Sequence, residues 1–324
     1  MYKIYPSSEH CLDFCFAIYQ YPLGSPLVTH HGSWQYREGI IIQLMDKSGK
    51  LGKGEIAPLP WFGTETFTEA LAFCQSLPST FSDIAHFLEA IPESLPCCQF
   101  AFASAYQDLY DPSPQLSFSR AQFCYLLPSE SHRLERLKEL LKVGYQTFKM
   151  KIGVLSFDVE RDRIRALLEQ LPPAGRLRLD ANGGLTVAQA REWLTFLGDF
   201  PQVEFLEQPL PPQHLAEMFT LAQAFETPIA LDESVSSWLQ LQDCYRQGWR
   251  GIYVLKAAIM GYPQRLEDWL STHPIDAVFS SVLETAIARQ QVLRMASRWN
   301  HPQRAIGFGT EHWFGENRQE TEKP

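Results

Sequence analysis

Long apolar runs are missing from this chain, and basic residues are in the minority. The first twenty residues scatter Lys3, Glu9 and Asp13 among apolar positions, so neither a signal-peptide core nor a membrane span is expected. Lysine and arginine total 28 against 37 aspartate and glutamate, a formal charge of −9. With no basic tract or arginine cluster, nucleic acid and anionic membrane are not expected partners. Cysteine is sparse and odd in number, seven, with neither zinc spacing nor a disulfide framework. Reduced, buried thiols in a cytoplasmic protein are the expectation, the adjacent Cys97 and Cys98 included. His30-His31 falls in a loop, and His214, His273, His301 and His312 adjoin turns or prolines; none stands at metal-ligand spacing to another. No Gly-x-Gly-x-x-Gly opens a helix and no Walker-type loop exists, which leaves nucleotide binding unsupported. What remains is 324 residues, 45% hydrophobic and 20% charged, enough for one large globular domain or two modest ones.

The character of the chain changes near Asp111-Pro112-Ser113-Pro114, where two prolines stiffen the backbone. Residues 1–110 read as α+β: a strand at 39–45, a turn, a second strand from Leu51 toward Glu55, a loop rich in Pro, Gly and aromatics, and helices at 66–77 and 97–109. From residue 111 to 310 strand and helix alternate. Strands are expected at 123–127, 147–151, 176–180, 203–207, 229–232, 252–256, 276–281 and 305–310, eight in all, the number that closes a barrel. No helix pattern follows the last, so the tail is expected to return to the N-terminal domain.

Five of these strands end on a charge: Lys151, Asp180, Glu207, Asp232 and Lys256, at successive spacings of 29, 27, 25 and 24. That is the length of a strand, a loop, a helix and a return. Charges at the carboxyl ends of parallel strands meet at one mouth of a barrel. Asp180, Glu207 and Asp232 would repel there unless a cation sat among them. An all-oxygen donor set suits Mg2+ first and Mn2+ next. Alternatively each carboxylate caps the following helix, and Asp232 before Glu233-Ser234 is the fairest case. Their shared strand-end register argues against that for all three.

Lys149 and Lys151, two apart on one strand, face into the barrel while Phe148 and Met150 face outward. Neighbouring, partly buried ammonium groups lower each other's pKa, as a general base requires. The alternative, a solvated surface pair, would expose one whole face of an apolar strand. Lys256 arrives from across the barrel, so the lysines address both faces of a bound substrate. Arg178 shares the face of Asp180 and either binds a substrate carboxylate or neutralises carboxylate charge inside the barrel. Gly307-Phe308-Gly309-Thr310 either offers backbone N–H groups to an anion or serves a tight strand-end turn. Together these parts fit proton abstraction α to a carboxylate beside a metal ion.

Lys149-Met150-Lys151, Asp180-Ala181-Asn182, Glu207-Gln208-Pro209, Asp232-Glu233-Ser234 and Lys256 together resemble the muconate-lactonizing branch of the enolase superfamily. The resemblance spans nearly the whole chain, with the segment 54–60 similar to the capping domain and Ser280-Ser281-Val282-Leu283-Glu284-Thr285 to the seventh strand. It implies an α/β fold, a modified (β/α)7β TIM-like barrel at 111–310. An N-terminal α+β capping domain at 1–110, completed by the tail 311–324, would sit over it, with loops at 19–31 and 58–64 closing on substrate. Within that branch the chain is similar to the o-succinylbenzoate synthases of menaquinone and phylloquinone biosynthesis. These dehydrate 2-succinyl-6-hydroxycyclohexa-2,4-diene-1-carboxylate, a small-molecule carboxylate, to the aromatic acid. The resemblance implies Lys151 as acid/base, Lys256 as the stabilising lysine opposite, and Asp180, Glu207 and Asp232 as Mg2+ ligands. Lys149, Arg178, Ser281 and Gly307 are the candidate substrate contacts. N-acylamino acid racemases and dipeptide epimerases of the branch use the same two lysines and form the alternative. Epimerases carry Asp-x-Asp where this chain has Gly307-Phe308-Gly309, which disfavours them. Monomer and homo-oligomer both remain open.

Overall fold

The computed structural model describes residues 11–29, 32–112, 116–127 and 133–310. Near the N-terminus, β1 (Leu12–Thr29) runs antiparallel to β2 (Gly32–Met45), which pairs with β3 (Leu51–Ile56). After α1 (Phe67–Ser76), the two-residue β4 (Thr80–Phe81) joins the other edge of β1, and α2 (Ile84–Ala90) and α3 (Pro96–Tyr110) complete this layer. Alternation decides which face is buried: Leu12 and Phe14 on β1, and Ile40, Ile42 and Leu44 on β2, all point into the core. α3 lies directly on β3, since a Cβ at Gly54 would come within 2.0 Å of the Ala101 carbonyl oxygen.

The expected strands at 39–45 and from Leu51 are present, but over the described part of the loop expected at 19–31 the chain is a strand. Residues 19–29 form the far half of β1, with a register irregularity between Pro22 and Leu27. The loop is an implication of the resemblance; here an irregular two-stranded ribbon runs through Pro22 and Gly24. His30, His31 and His312 lie outside the described residues, as does the tail 311–324. All seven thiols are unpaired; five are buried, while Cys11 and Cys15 are not.

The second layer is a barrel. Its strands are β5 (Phe123–Leu126), β6 (Thr147–Lys151), β7 (Arg176–Asp180), β8 (Val203–Glu207), β9 (Ile229–Leu231), β10 (Ile252–Leu255), β11 (Asp276–Phe279) and β12 (Ile306–Gly309). Between them run α4 (Arg133–Lys142), α5 (Phe157–Leu168), α6 (Val187–Leu197), α7 (Leu215–Ala224), α8 (Trp238–Arg246), α9 (Pro263–Thr272) and α10 (Ala286–Trp299). The parallel sheet has the order β11-β10-β9-β8-β7-β6-β5-β12, and a parallel bridge between Ser280 and Gly307 joins its two ends. Phe148 and Met150 join the large core on the helix side, as their alternation implies. Inside the barrel Phe205, Ala230, Ile252, Val254 and Val278 form a separate buried apolar plug. Among the described residues no helix is long and apolar enough to cross a membrane.

Candidate active site

Register brings the charges together. Lys151 pairs with Asp180 and Asp180 with Glu207 across three adjacent strands, so all three occupy one level at the carboxyl ends. Asp232 and Lys256 lie one residue beyond β9 and β10, each opening a short 3-10 turn. The Asp232 side chain caps no backbone N–H there, so helix capping does not explain it. All three carboxylates are at most 3% exposed, and one oxygen from each lies within 4.8 Å of the others.

The lysines hold this acidic cluster. Lys149 Nζ lies 2.7 Å from Asp180 Oδ2 and 2.6 Å from Glu207 Oε1. Lys151 Nζ donates to Asp180 Oδ2 and to Asn182 Oδ1, both at 2.6 Å. Lys256 pairs with Asp232, and its ammonium sits 4.4 Å from the centre of the Phe62 ring. The expectation that neighbouring ammonium charge and burial lower both lysines needs correction at Lys149. Burial does push its pKa down, but the charges of Asp180, Glu207 and Asp232 prevail and hold it well above the ordinary value. Lys149 is therefore a fixed counter-charge.

The carboxylates divide. Burial would raise Asp180, yet Lys149 and Lys151 override it and pull it well below the usual range. Burial and the Asp180 charge push Glu207 up to about 8. Burial likewise raises Asp232 despite Lys256. Two buried carboxylates driven toward protonation mark a deficit of positive charge at an all-oxygen donor set. A hard divalent cation fits that deficit, Mg2+ before Mn2+.

Arg178 resolves differently. Its guanidinium is 2% exposed, bonded to Glu204 at 2.7 Å and to the Ala305 carbonyl at 2.8 Å. It borders the cavity floor, but of its two readings this geometry favours charge balance over substrate binding. Its partner was not anticipated, because strand alternation should turn Glu204 away. A register shift on β8, where Arg178 pairs with Phe205 and skips Glu204, re-aims that side chain.

Asn182 and Gln208 also went unassigned in the sequence, though both stand inside quoted motifs. They adopt φ of 44° and 37°, in the left-handed region that only a few non-glycine residues visit. Asn182 ties Lys151 to Glu233, its Nδ2 donating at 2.9 Å to Glu233 Oε1. Gln208 Oε1 accepts from the Asp232 backbone N–H at 2.9 Å, which fixes the start of that turn.

Above the floor an open cavity is walled by Trp34, Leu59, Trp61 and Phe62 from the N-terminal layer. Ser281, Leu283 and Gly307 line its far side. Ser281 Oγ donates to Glu284 Oε2 at 2.8 Å, and the Ser281 backbone N–H donates to the Gly307 carbonyl at 3.0 Å. A Cβ at Gly307 would stand 2.7 Å from Ser280 Oγ and 3.2 Å from its Cα, so the glycine permits the bridge that closes the barrel. Gly307→Ala is expected to destabilise by about 1–3 kcal/mol, measured by chemical denaturation. No loss would mean that the bridge yields freely.

Residues 132–265 match the family model described as enolase C-terminal domain-like, and residues 15–109 match the MenC N-terminal domain. The o-succinylbenzoate synthase of Thermosynechococcus vestitus is 41% identical over 304 residues, covering 91% of this chain and 92% of that one. The chain belongs to the o-succinylbenzoate synthase family. A second o-succinylbenzoate synthase, from Pectobacterium atrosepticum, is 30% identical over 90% of this chain and 88% of its own. The crystal structure of o-succinylbenzoate synthase from Thermosynechococcus elongatus, complexed with Mg in the active site, superposes with TM-score 0.85. It is 40% identical, over 93% of this chain and 94% of that one. The L-Ala-D/L-Glu epimerase of Bacillus subtilis, at 20% identity and TM-score 0.79, shares the fold alone. The barrel under an N-terminal α+β layer is thus an o-succinylbenzoate synthase fold of the enolase superfamily.

Proposed function

We propose that this chain is a Mg2+-dependent carbon–oxygen lyase. It dehydrates 2-succinyl-6-hydroxycyclohexa-2,4-diene-1-carboxylate to o-succinylbenzoate on the route to menaquinone or phylloquinone. We further place it in the cytoplasm, as a monomer or homo-oligomer acting on this small molecule without nucleic-acid or membrane partners. The observation that carries the reading is the opposition of two lysines across a buried carboxylate triad. β6 and β10 stand four apart in an eight-strand ring, so Lys151 and Lys256 face each other over Asp180, Glu207 and Asp232.

Asp180, Glu207 and Asp232 would hold the ion. When bound, Mg2+ supplies positive charge beside the substrate carboxylate as the α-proton leaves. Lys151, oriented by Asp180 and Asn182, takes that proton at Nζ and gives it to the departing hydroxyl. The ring C–H and C–O bonds break, water leaves, and the ring becomes aromatic. Lys256, across the cavity, contributes a positive charge to the other face of the substrate. Lys149 balances Asp180 and Glu207. Ser281 and Gly307 line the side of the cavity that the succinyl chain would reach.

The opposed lysines also suit two-base chemistry, as in an N-acylamino acid racemase or a dipeptide epimerase. Gly307 and Gly309 provide no carboxylate to hold a peptide amine. Purified protein should form the aromatic product from the diene, lose that activity in EDTA, and regain it with Mg2+. Turnover unaffected by EDTA would remove the metal from the account.

Glu207 predicts a pH signature. Its folded pKa of about 8 exceeds the ordinary 4.5, so the folded metal-free chain keeps a proton that the unfolded chain releases. The metal-free protein should therefore lose stability as pH rises from about 4.5 to about 8. Mg2+ competes with the same proton, so its affinity should rise with pH up to about 8 and level off above it. Calorimetric titration across that range checks this; a flat affinity would contradict it.

A further inference from the structure

Lys151 shares its carboxylate with a neighbour. The oxygen it meets on Asp180, Oδ2, is also taken by Lys149, at 2.7 Å against 2.6 Å for Lys151. Asn182 Oδ1, at 2.6 Å, is the acceptor that Lys151 does not share with that lysine. A carboxamide can turn its oxygen to an ammonium only while its NH2 group points elsewhere, because the reversed amide would set donor against donor. Asn182 meets that condition through Glu233, its Nδ2 donating to Glu233 Oε1 at 2.9 Å. The backbone of this turn is held separately. The Asn182 N–H donates to Asp180 Oδ1 at 2.9 Å, and the Gly183 N–H to the Gln208 carbonyl at 2.7 Å. What these bonds leave open is the sense of the side-chain amide, and Glu233 sets it.

Glu233 is itself rigidly placed. It opens the 3-10 turn Glu233–Val235 directly after Asp232 and is 7% exposed. Gln208 Oε1 accepts from the N–H groups of both Asp232 and Ser234, at 2.9 and 3.2 Å, which pins the backbone on either side of Glu233 to the end of β8. Its carboxylate is no part of the acidic triad and does not line the cavity, whereas Asn182 and Lys151 both do. A buried carboxylate close to three others is costly, and the Asn182 amide offsets part of that cost. Three strand ends are thereby interlocked: Asn182 after β7, Gln208 after β8 and Glu233 after β9.

We propose that Glu233 is a positioning residue for the acid/base step. Through the Asn182 amide it holds Lys151 Nζ at the place from which that nitrogen takes and returns the proton. It acts from outside the cavity, on the amide and not on the substrate. This deepens the function proposed above and rests on it.

The test is turnover of the diene at saturating Mg2+. Glu233→Ala lets the Asn182 amide reverse and should lower kcat by about ten- to a hundredfold, with KM changing far less. Glu233→Gln keeps an oxygen for Asn182 Nδ2 and should restore most of that loss. Asn182→Gly should be at least as slow as Glu233→Ala; glycine is the choice because it accepts the left-handed φ of 44° at this position without strain. Once the amide is gone, adding Glu233→Ala should cost nothing further. A loss that more Mg2+ restores, a Glu233→Gln variant as slow as Glu233→Ala, or losses that multiply in the double variant would overturn the proposal and make Glu233 a support for Asp232 alone. If Glu233→Ala does not fold, Glu233→Met, which fills the space without a carboxylate oxygen, takes its place with the same expectations. Failure of the unaltered chain to turn over the diene would sink the synthase reading itself, and the proposal with it.

Discussion

Lys151→Ala is expected to lower turnover of the diene by about a hundred- to ten-thousand-fold, the range for removing a positioned acid/base group. The expectation is specific because of what Lys151 touches. Its Nζ meets only Asp180 and Asn182 among the described side chains, and it lines the cavity opposite Lys256. Lys149 cannot replace it, being committed to both Asp180 and Glu207. Mg2+ affinity should hold or rise in the variant, since a positive charge beside Asp180 is gone. Steady-state rates and calorimetry on one preparation separate the two effects. A rate within about tenfold of the unaltered chain would refute the assignment of the proton to Lys151.

Asp232→Asn should act through the metal. If Asp232 is one of the ligands proposed above, the change removes one of three buried carboxylates and about a third of the negative charge that would attract the ion. Loss of an outer-shell partner alone costs about 10–100-fold in metal affinity, so loss of a ligand should cost at least that. Lys256 loses its partner in the same change, so activity should stay depressed even when Mg2+ is raised to saturation. Metal titrations followed by rate and by calorimetry check both parts. Unchanged Mg2+ affinity would remove Asp232 from the ligand set.

The charged ends of the barrel strands were legible because alternation and position reinforce each other. Residues 147–151, 176–180 and 203–207 are strands in the structure as the sequence implies, since each alternates along an apolar run and stops at a charge. Of the five charged ends, two lie one residue past their strands, because Asp232 and Lys256 begin 3-10 turns that alternation cannot distinguish from strand. Less of the capping layer could be read. Proline and glycine within 22–26 interrupt the period of β1, and a two-residue β4 carries no period to detect. Within the site, residue types and spacing gave the acids and lysines but not their pairings. The raised Lys149 pKa and the Arg178–Glu204 bond depend on cross-strand register and on one bulge, which exist only once the sheet is assembled.

On the function proposed above, Lys151 and Lys256 serve a dehydration and not a racemisation. One measurement tests it most directly: purified, Mg2+-loaded protein in D2O, given the diene in one reaction and an N-succinylamino acid in another. Rapid formation of o-succinylbenzoate, with deuterium entering the amino acid's Cα far more slowly or not at all, is the predicted result. Fast exchange at Cα without any aromatic product would contradict it and make the chain a racemase on the same scaffold.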